Sequence, residues 1–208
     1  NVYLDANGTV NQTGGTAALF KQTAGTATLA GTVATANLTG GTTSISGTVS
    51  GNTKVNATGN LTSTGTLNAL LVGNDDGGGR VNLAGGTVAS LTQNGPTSVV
   101  TSVANITGSA VLDGGTTTIT APGRVVGTTT VSTTGNLTSN GTLGALVVTG
   151  GQANLTGGTV SNLTQSGGTV TSSAGITGFA SISAGTATIN AAGSVGGARP
   201  LCRRVCLW

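Results

Sequence analysis

ANLTGGTVSNLTQSGGT, residues 153–169, places two Gly-Gly-Thr turns ten residues apart. Taken alone, glycine-rich loops of this kind suggest a phosphate cradle. Such a cradle needs a following helix N-terminus or a lysine, and neither Lys21 nor Lys54 follows a Gly-Gly-Thr run. The segment also has a near twin, since VNLAGGTVASLTQNG at 81–95 returns at 153–167. A turn that recurs reads as a corner of a repeated coil, where glycine permits positive φ.

The repetition extends over most of the chain. TGNLTSTGTLNALLVG (58–73) returns as TGNLTSNGTLGALVVT (134–149), shifted by 76; the twin above is shifted by 72; and ITGSAVLDGGTTTITAPGRV (106–125) returns as ITGFASISAGTATINAAGSV (176–195), shifted by 70. The falling shift locates extra residues in the earlier copy, around 73–79 and near 94–101. A partial copy comes first, since NQTGGTA (11–17) resembles TQSGGTV (164–170). The expected organisation is a repeat array over 1–197, made of a partial copy at 1–53 and copies at about 54–129 and 130–197, with an atypical tail at 198–208.

A shorter unit recurs inside each copy: GTATL (25–29), GTTSI (41–45), GTTTI (115–119) and GTATI (185–189). Alternation across a strand puts Thr186 and Thr188 on one face and Ala187 with Ile189 on the other, so one face is wet and one buried. Strands of three to five residues, β-branched and bounded by Gly, Asn or Ser, carry the strand signature. Helix is excluded by the glycine and threonine load, at roughly 0.5 to 1 kcal/mol per such position relative to alanine. The fold class expected is therefore all-β, a single-stranded β-solenoid with short coils stacked through backbone hydrogen bonds. Coils of about 20 residues would give on the order of ten coils and a rod roughly 45 to 50 Å long.

Composition agrees. Charged residues make up 5% of the 208, aromatics 2%, and there are 38 glycines and three prolines. With threonine at about one residue in five, the polarity is uncharged, and the mean hydropathy of +0.24 with so little charge argues against a disordered chain. The formal charge of +3 comes from the tail, which holds Arg199, Arg203 and Arg204. Elsewhere Lys21, Lys54, Arg80 and Arg124 balance Asp5, Asp75, Asp76 and Asp113. No basic stripe suits nucleic acid, and no basic amphipathic helix suits a membrane surface. No apolar run is long enough for a transmembrane helix. The chain begins at Asn1 without Met, a basic n-region or an apolar h-region, so a mature chain or a fragment is expected.

Candidate chemistry is sparse. Asp113 and Arg124, eleven residues apart, form the one pair proposable for a polysaccharide-cleaving enzyme, and the sister positions in the second copy are Ser183 and Ser194. Asp75 and Asp76 in NDDGGGR (74–80) could hold calcium, but the order of the β-roll nonapeptide is reversed and the motif is single. Cys202 and Cys206 could bridge or supply half a metal site, yet the chain has no His. A non-native or dangling hydrophobic end is the preferred reading of GGARPLCRRVCLW (196–208). Ten Asn-x-Thr sequons, among them Asn37, Asn60, Asn136 and Asn154, permit glycosylation. Outward Thr-x-Thr pairs raise an ice-binding reading, weighed down by the irregular spacing of the four full motifs. No catalytic, cofactor-binding or metal-binding residue is assigned.

With ANLTGGTV, VNLAGGTV and GTLNALLVGNDDGGGRVNLAGGTV in view, the chain resembles the passenger regions of bacterial autotransporter and filamentous-haemagglutinin-like surface proteins. The resemblance covers 1–197. It implies a right-handed parallel β-helix displayed outside the cell, commonly for adhesion, aggregation or biofilm contact. The function expected is a non-catalytic extracellular or cell-surface module contacting glycans, proteins or itself, without cofactor or nucleic acid. The alternatives are a carbohydrate-active β-helix enzyme and an ice-binding solenoid with outward Thr rows. Exposed strand edges at the ends of a solenoid predict self-association.

Overall fold

A computed structural model describes residues 1–73, 77–190, 194–197 and 206–207. The described residues contain strands and turns and no helix. Among the described residues all strand pairs are parallel, in one sheet of 13 strands and another of 12, and the chain alternates between them in a solenoid of about 11 turns. One coil illustrates the rest. Thr142–Val148 lies in the first, wide sheet; the chain turns and Gln152–Leu155 lies in the second, narrow sheet; Thr159–Gln165 then returns to the wide sheet one rung on. Leu143 pairs with Val160 and Leu146 with Leu163 in one sheet, while Ala153 pairs with Val170 in the other. Stacking like on like lets each coil bury what its neighbour alone could not.

Most coils are shorter than the sequence suggests. Thr26 pairs with Thr42, sixteen positions on, while the longer coil from Asn60 to Arg80 takes twenty. A four-residue narrow strand and a seven-residue wide strand need only two or three corner residues each. Rungs at about 4.8 Å give a rod of roughly 50 Å.

The burial patterns show how the sequence makes this shape. Narrow strands such as Thr26–Leu29 read exposed, buried, exposed, buried, as a pleated strand with one wet face must. Wide strands break the alternation once. In Thr16–Gln22 both Ala18 and Leu19 face out, after which Phe20 and Gln22 face in. Two successive outward residues turn the strand around a bend, so a coil has three sides. Where a wide strand holds an eighth residue, as in Thr48–Val55 and Arg124–Val131, the register shifts at that bend, and Gly51 and Gly127 lie within it.

The Gly-Gly-Thr turns are the corners. Gly158 has φ 72°, and a Cβ there would lie 2.0 Å from the Gly141 carbonyl oxygen of the coil below. Gly168, at the next corner, has φ 66° and would meet the Gly150 carbonyl at 2.5 Å. Only glycine satisfies both the left-handed backbone and the close stacking. The ladder runs unbroken through these corners: Thr159 N–H donates to Gly141 O at 3.3 Å and Thr169 N–H to Gly151 O at 3.0 Å. Such continuity leaves few orphan backbone groups in the stack.

Inside, Val, Leu and Ile form continuous files. Leu67, Leu70, Leu143, Leu146 and Leu163 are among the fully buried side chains, each stabilising by about 1.5 to 3 kcal/mol. The files also carry a longer period. Asn60, Arg80, Val99, Thr116 and Asn136 head successive narrow strands, so one long sequence copy is four coils. Buried Gln22, Gln93 and Gln165 occupy equivalent sites four coils apart. Gln22 Nε2 donates to Gly25 O at 2.8 Å and Thr42 O at 3.3 Å, and its Oε1 accepts from Thr43 Oγ1. Gln93 repeats this with Ser98, Thr116 and Thr117.

Cys206–Leu207 pairs with Thr188–Ile189 on the narrow sheet. Cys202 and Arg199, Arg203 and Arg204 lie outside the described residues.

Candidate functional site

With the interior occupied by apolar files, the positions open to a partner are the outward ones. The narrow sheet presents two files, one from the first and one from the third residue of each strand. Over the eleven strands from Thr9–Gln12 to Thr186–Ile189, the first file holds threonine at Thr9, Thr26, Thr42, Thr116, Thr169 and Thr186. The third-residue file holds it at Thr28, Thr62, Thr101, Thr118, Thr138, Thr171 and Thr188. Six and seven make 13 threonines in 22 positions, and five more are asparagine: Asn60, Asn136, Asn11, Asn82 and Asn154. Arg80 is the one charged residue among these positions. The hydroxyls and amides sit about 4.8 Å apart along the rod and roughly 6.7 Å apart across each strand.

The sequence motif showed only four of these rungs because it required Thr first, Thr or Ser third and Ile or Leu fourth. The last is an interior condition, and it alone hides the Thr169–Ser172 rung, while Arg80–Leu83 and Gln152–Leu155 have the interior Leu and differ on the outward side. The register shows Ser63, Ser102 and Ser139 taking the interior place without disturbing the outward pair. Ser102 Oγ accepts from the Ala104 N–H and Ser139 Oγ from the Gly141 N–H, so these two serines pair with the turn behind them.

The wide sheet is less uniform. Its first outward file begins with Thr16, Thr32, Thr48, Thr66 and Thr87 on consecutive rungs, and Thr87 Oγ1 donates to Thr66 Oγ1 at 3.3 Å. The next outward file beside it is mixed, with Ala18, Ala34, Ser50, Asn68 and Ala89. Beyond the bend, Tyr3, Lys21, Asn37 and Lys54 follow one another on four rungs. Lys21, Asn37, Lys54 and Asn56 line a shallow pocket there. The chain's two lysines thus meet across Asn37, a juxtaposition invisible while they stand far apart in sequence.

The enzymatic pair is not brought together. Asp113 follows the wide strand Ala110–Leu112 and accepts from Ser132 Oγ, whereas Arg124 opens the next wide strand and its Nε donates to Asn105 Oδ1 at 2.9 Å. They stand at opposite ends of the wide side. Asp5 accepts from Thr23 Oγ1 at 3.2 Å near the first rung. Asp75 and Asp76 lie outside the described residues. Among the described residues no group of three His, Cys, Asp or Glu side chains could hold a metal ion, and no helix is long and apolar enough to cross a membrane. Of the sequon asparagines, Asn60, Asn136 and Asn154 are exposed and Asn37 is half-buried.

No family model, curated protein or solved structure matches this chain.

Proposed function

We propose that the chain is a non-catalytic structural and adhesive module, working outside the cell or at its surface, whose long faces contact glycans, proteins or other copies of itself. The observation that supports this reading is the outward surface of the solenoid. Its sheets carry hydroxyls and amides in rows, and the acid and base that could serve hydrolysis stand at opposite ends of a coil side. A rigid rod with repeated shallow contacts suits many weak bonds made together, where the tether supplies the effective concentration. The resemblance to autotransporter passengers and filamentous-haemagglutinin-like proteins points the same way.

The test is retention of the purified chain on immobilised glycans and matrix proteins, beside sedimentation of the chain alone. Retention competed by soluble chain, or concentration-dependent association, is expected. Release of new reducing ends from a polysaccharide incubated with the chain would overturn the non-catalytic reading.

A second reading, ice binding, is favoured by one observation: the two hydroxyl-rich files of the narrow sheet run in register over eleven rungs.

A further inference from the structure

The two outward files of the narrow sheet differ in how strictly they repeat. The third-residue file reads Asn11, Thr28, Ser44, Thr62, then Asn82, Thr101, Thr118, Thr138, then Asn154, Thr171, Thr188. Asparagine returns at every fourth rung with hydroxyl residues between, and Ser44 is the sole departure from Asn-Thr-Thr-Thr. Between the two long copies all four rungs of this file are identical.

The other outward files change between the same copies. Arg80 becomes Gln152 in the first file of the narrow sheet, and Asn105 becomes Gly175, Ala89 becomes Ser161, Ser90 becomes Asn162 and Leu71 becomes Val147 on the wide sheet. Strand propensity alone would accept Val or Ile as readily as Thr at an outward position. Among the outward files of the narrow sheet only this one carries a hydroxyl or amide on all eleven rungs.

The character of the face narrows the partner. Over the eleven strands from Thr9–Gln12 to Thr186–Ile189 it is neutral but for Arg80 and has no aromatic residue, so it offers there neither a phosphate track nor a stacking platform for sugar rings or bases. It also lies along the rod as an open surface, with the hydroxyls at two fixed separations set by the backbone. A neutral, periodic array of water oxygens, each donating and accepting, matches these features. Each threonine adds a methyl group that limits how its neighbouring water can orient.

We infer that the outward face of the narrow sheet binds ice, with the third-residue file from Asn11 to Thr188 as its anchoring row. The inference rests on the reading of a non-catalytic solenoid whose long faces make the contacts, and it names the crystal as one partner of that face. Arg80 and Val99 interrupt the first file at adjacent rungs. Arg80, being long and charged, holds liquid water where the face would otherwise meet the crystal.

The experiment is ice-affinity partitioning of the whole chain, with inhibition of ice recrystallisation as the second measurement. The chain is expected to enrich in slowly grown ice. Thr101→Lys and Thr171→Lys, on two different rungs, reduce enrichment to the level of a non-binding control protein. Arg80→Thr raises it, and Thr48→Lys, on the wide sheet, leaves it unchanged. Far-ultraviolet circular dichroism and melting establish that each variant is folded, and the Arg80→Thr gain stands even if a lysine variant does not fold. Absence of the parent chain from the ice, or equal loss from Thr48→Lys and Thr171→Lys, overturns the inference. If the parent chain is excluded from ice yet retained on glycans or matrix proteins, the ice inference fails while the adhesive reading stands. If polysaccharide is cleaved, the adhesive reading fails first.

Discussion

Ala187→Thr should stabilise the solenoid, and the reason lies in a hydrogen bond present at two equivalent sites and missing at the third. Gln22 Oε1 accepts from Thr43 and Gln93 Oε1 from Thr117. Four coils on, Gln165 makes the same donor bonds, to Gly168 O at 3.1 Å and Thr186 O at 3.0 Å. The residue at the matching place is Ala187, and Gln165 Oε1 is buried with no partner. An orphaned buried acceptor costs about 1 to 3 kcal/mol, so supplying the hydroxyl should recover about 1 kcal/mol after its own desolvation. The added methyl contributes through its fit, which Ala187→Val measures because valine has nearly the shape of threonine without the hydroxyl. Repeat arrays open coil by coil, so the assay is amide hydrogen exchange at Val170 and at position 187, compared between the two variants. A difference of about 1.4 kcal/mol is a tenfold change in protection. The Thr variant should exceed the Val variant severalfold. Equal protection, or greater protection with Val, would refute the assignment of the orphaned acceptor as a cost.

The same accounting gives further expectations. Thr53 and Thr129 are buried with no partner for Oγ1; Thr53→Val and Thr129→Val should each raise the urea midpoint by the equivalent of about 1 kcal/mol, and a fall in midpoint would show that the hydroxyl is satisfied. Gly158→Ala forces a Cβ against the Gly141 carbonyl at a positive φ, so a loss of about 2 kcal/mol or more is expected in the same titration, whereas an unchanged midpoint would mean that the corner is not closely stacked. Ala57 has φ 49°, and Ala57→Gly should gain about 0.5 to 1 kcal/mol by removing the left-handed penalty, less the entropy glycine adds to the unfolded chain; melting temperature reads it, and a decrease refutes the strain.

The architecture was legible because its determinants are local. Glycine-threonine corners recur in the sequence, and alternation within GTATI places Ala187 and Ile189 inside without any knowledge of their neighbours. Coil length was harder to read. The spacing from 58–73 to 134–149 spans four coils, and residues such as Gly51 and Gly127 extend single strands at the bend, which blurs any shorter period. The buried glutamines were not legible at all. Gln22, Gln93 and Gln165 each have polar neighbours in sequence, and only the register shows that they face inward and cap the next corner.

The outward rows escaped the sequence for a related reason, and the reason bears on what they are for. A Gly-Thr-x-Thr-Ile motif couples each outward residue to the interior residue beside it, although the two answer to different demands. The inward fourth position alternates between Leu or Ile and Ser as packing allows, with Leu83, Ser102, Ile119 and Ser139 on successive rungs. Across the same rungs the outward neighbours are Asn82, Thr101, Thr118 and Thr138. Packing therefore does not set the outward file, because the same outward chemistry accompanies two unlike interiors. Between the same copies the adjoining outward file has changed, as Arg80 and Gln152 show, while the inward fourth-residue file has not. A row that keeps a hydroxyl or amide on every rung, beside an outward file that does not and above interiors that alternate between apolar and serine, makes the narrow face, rather than the corners or the scattered charges, the place to look for a partner.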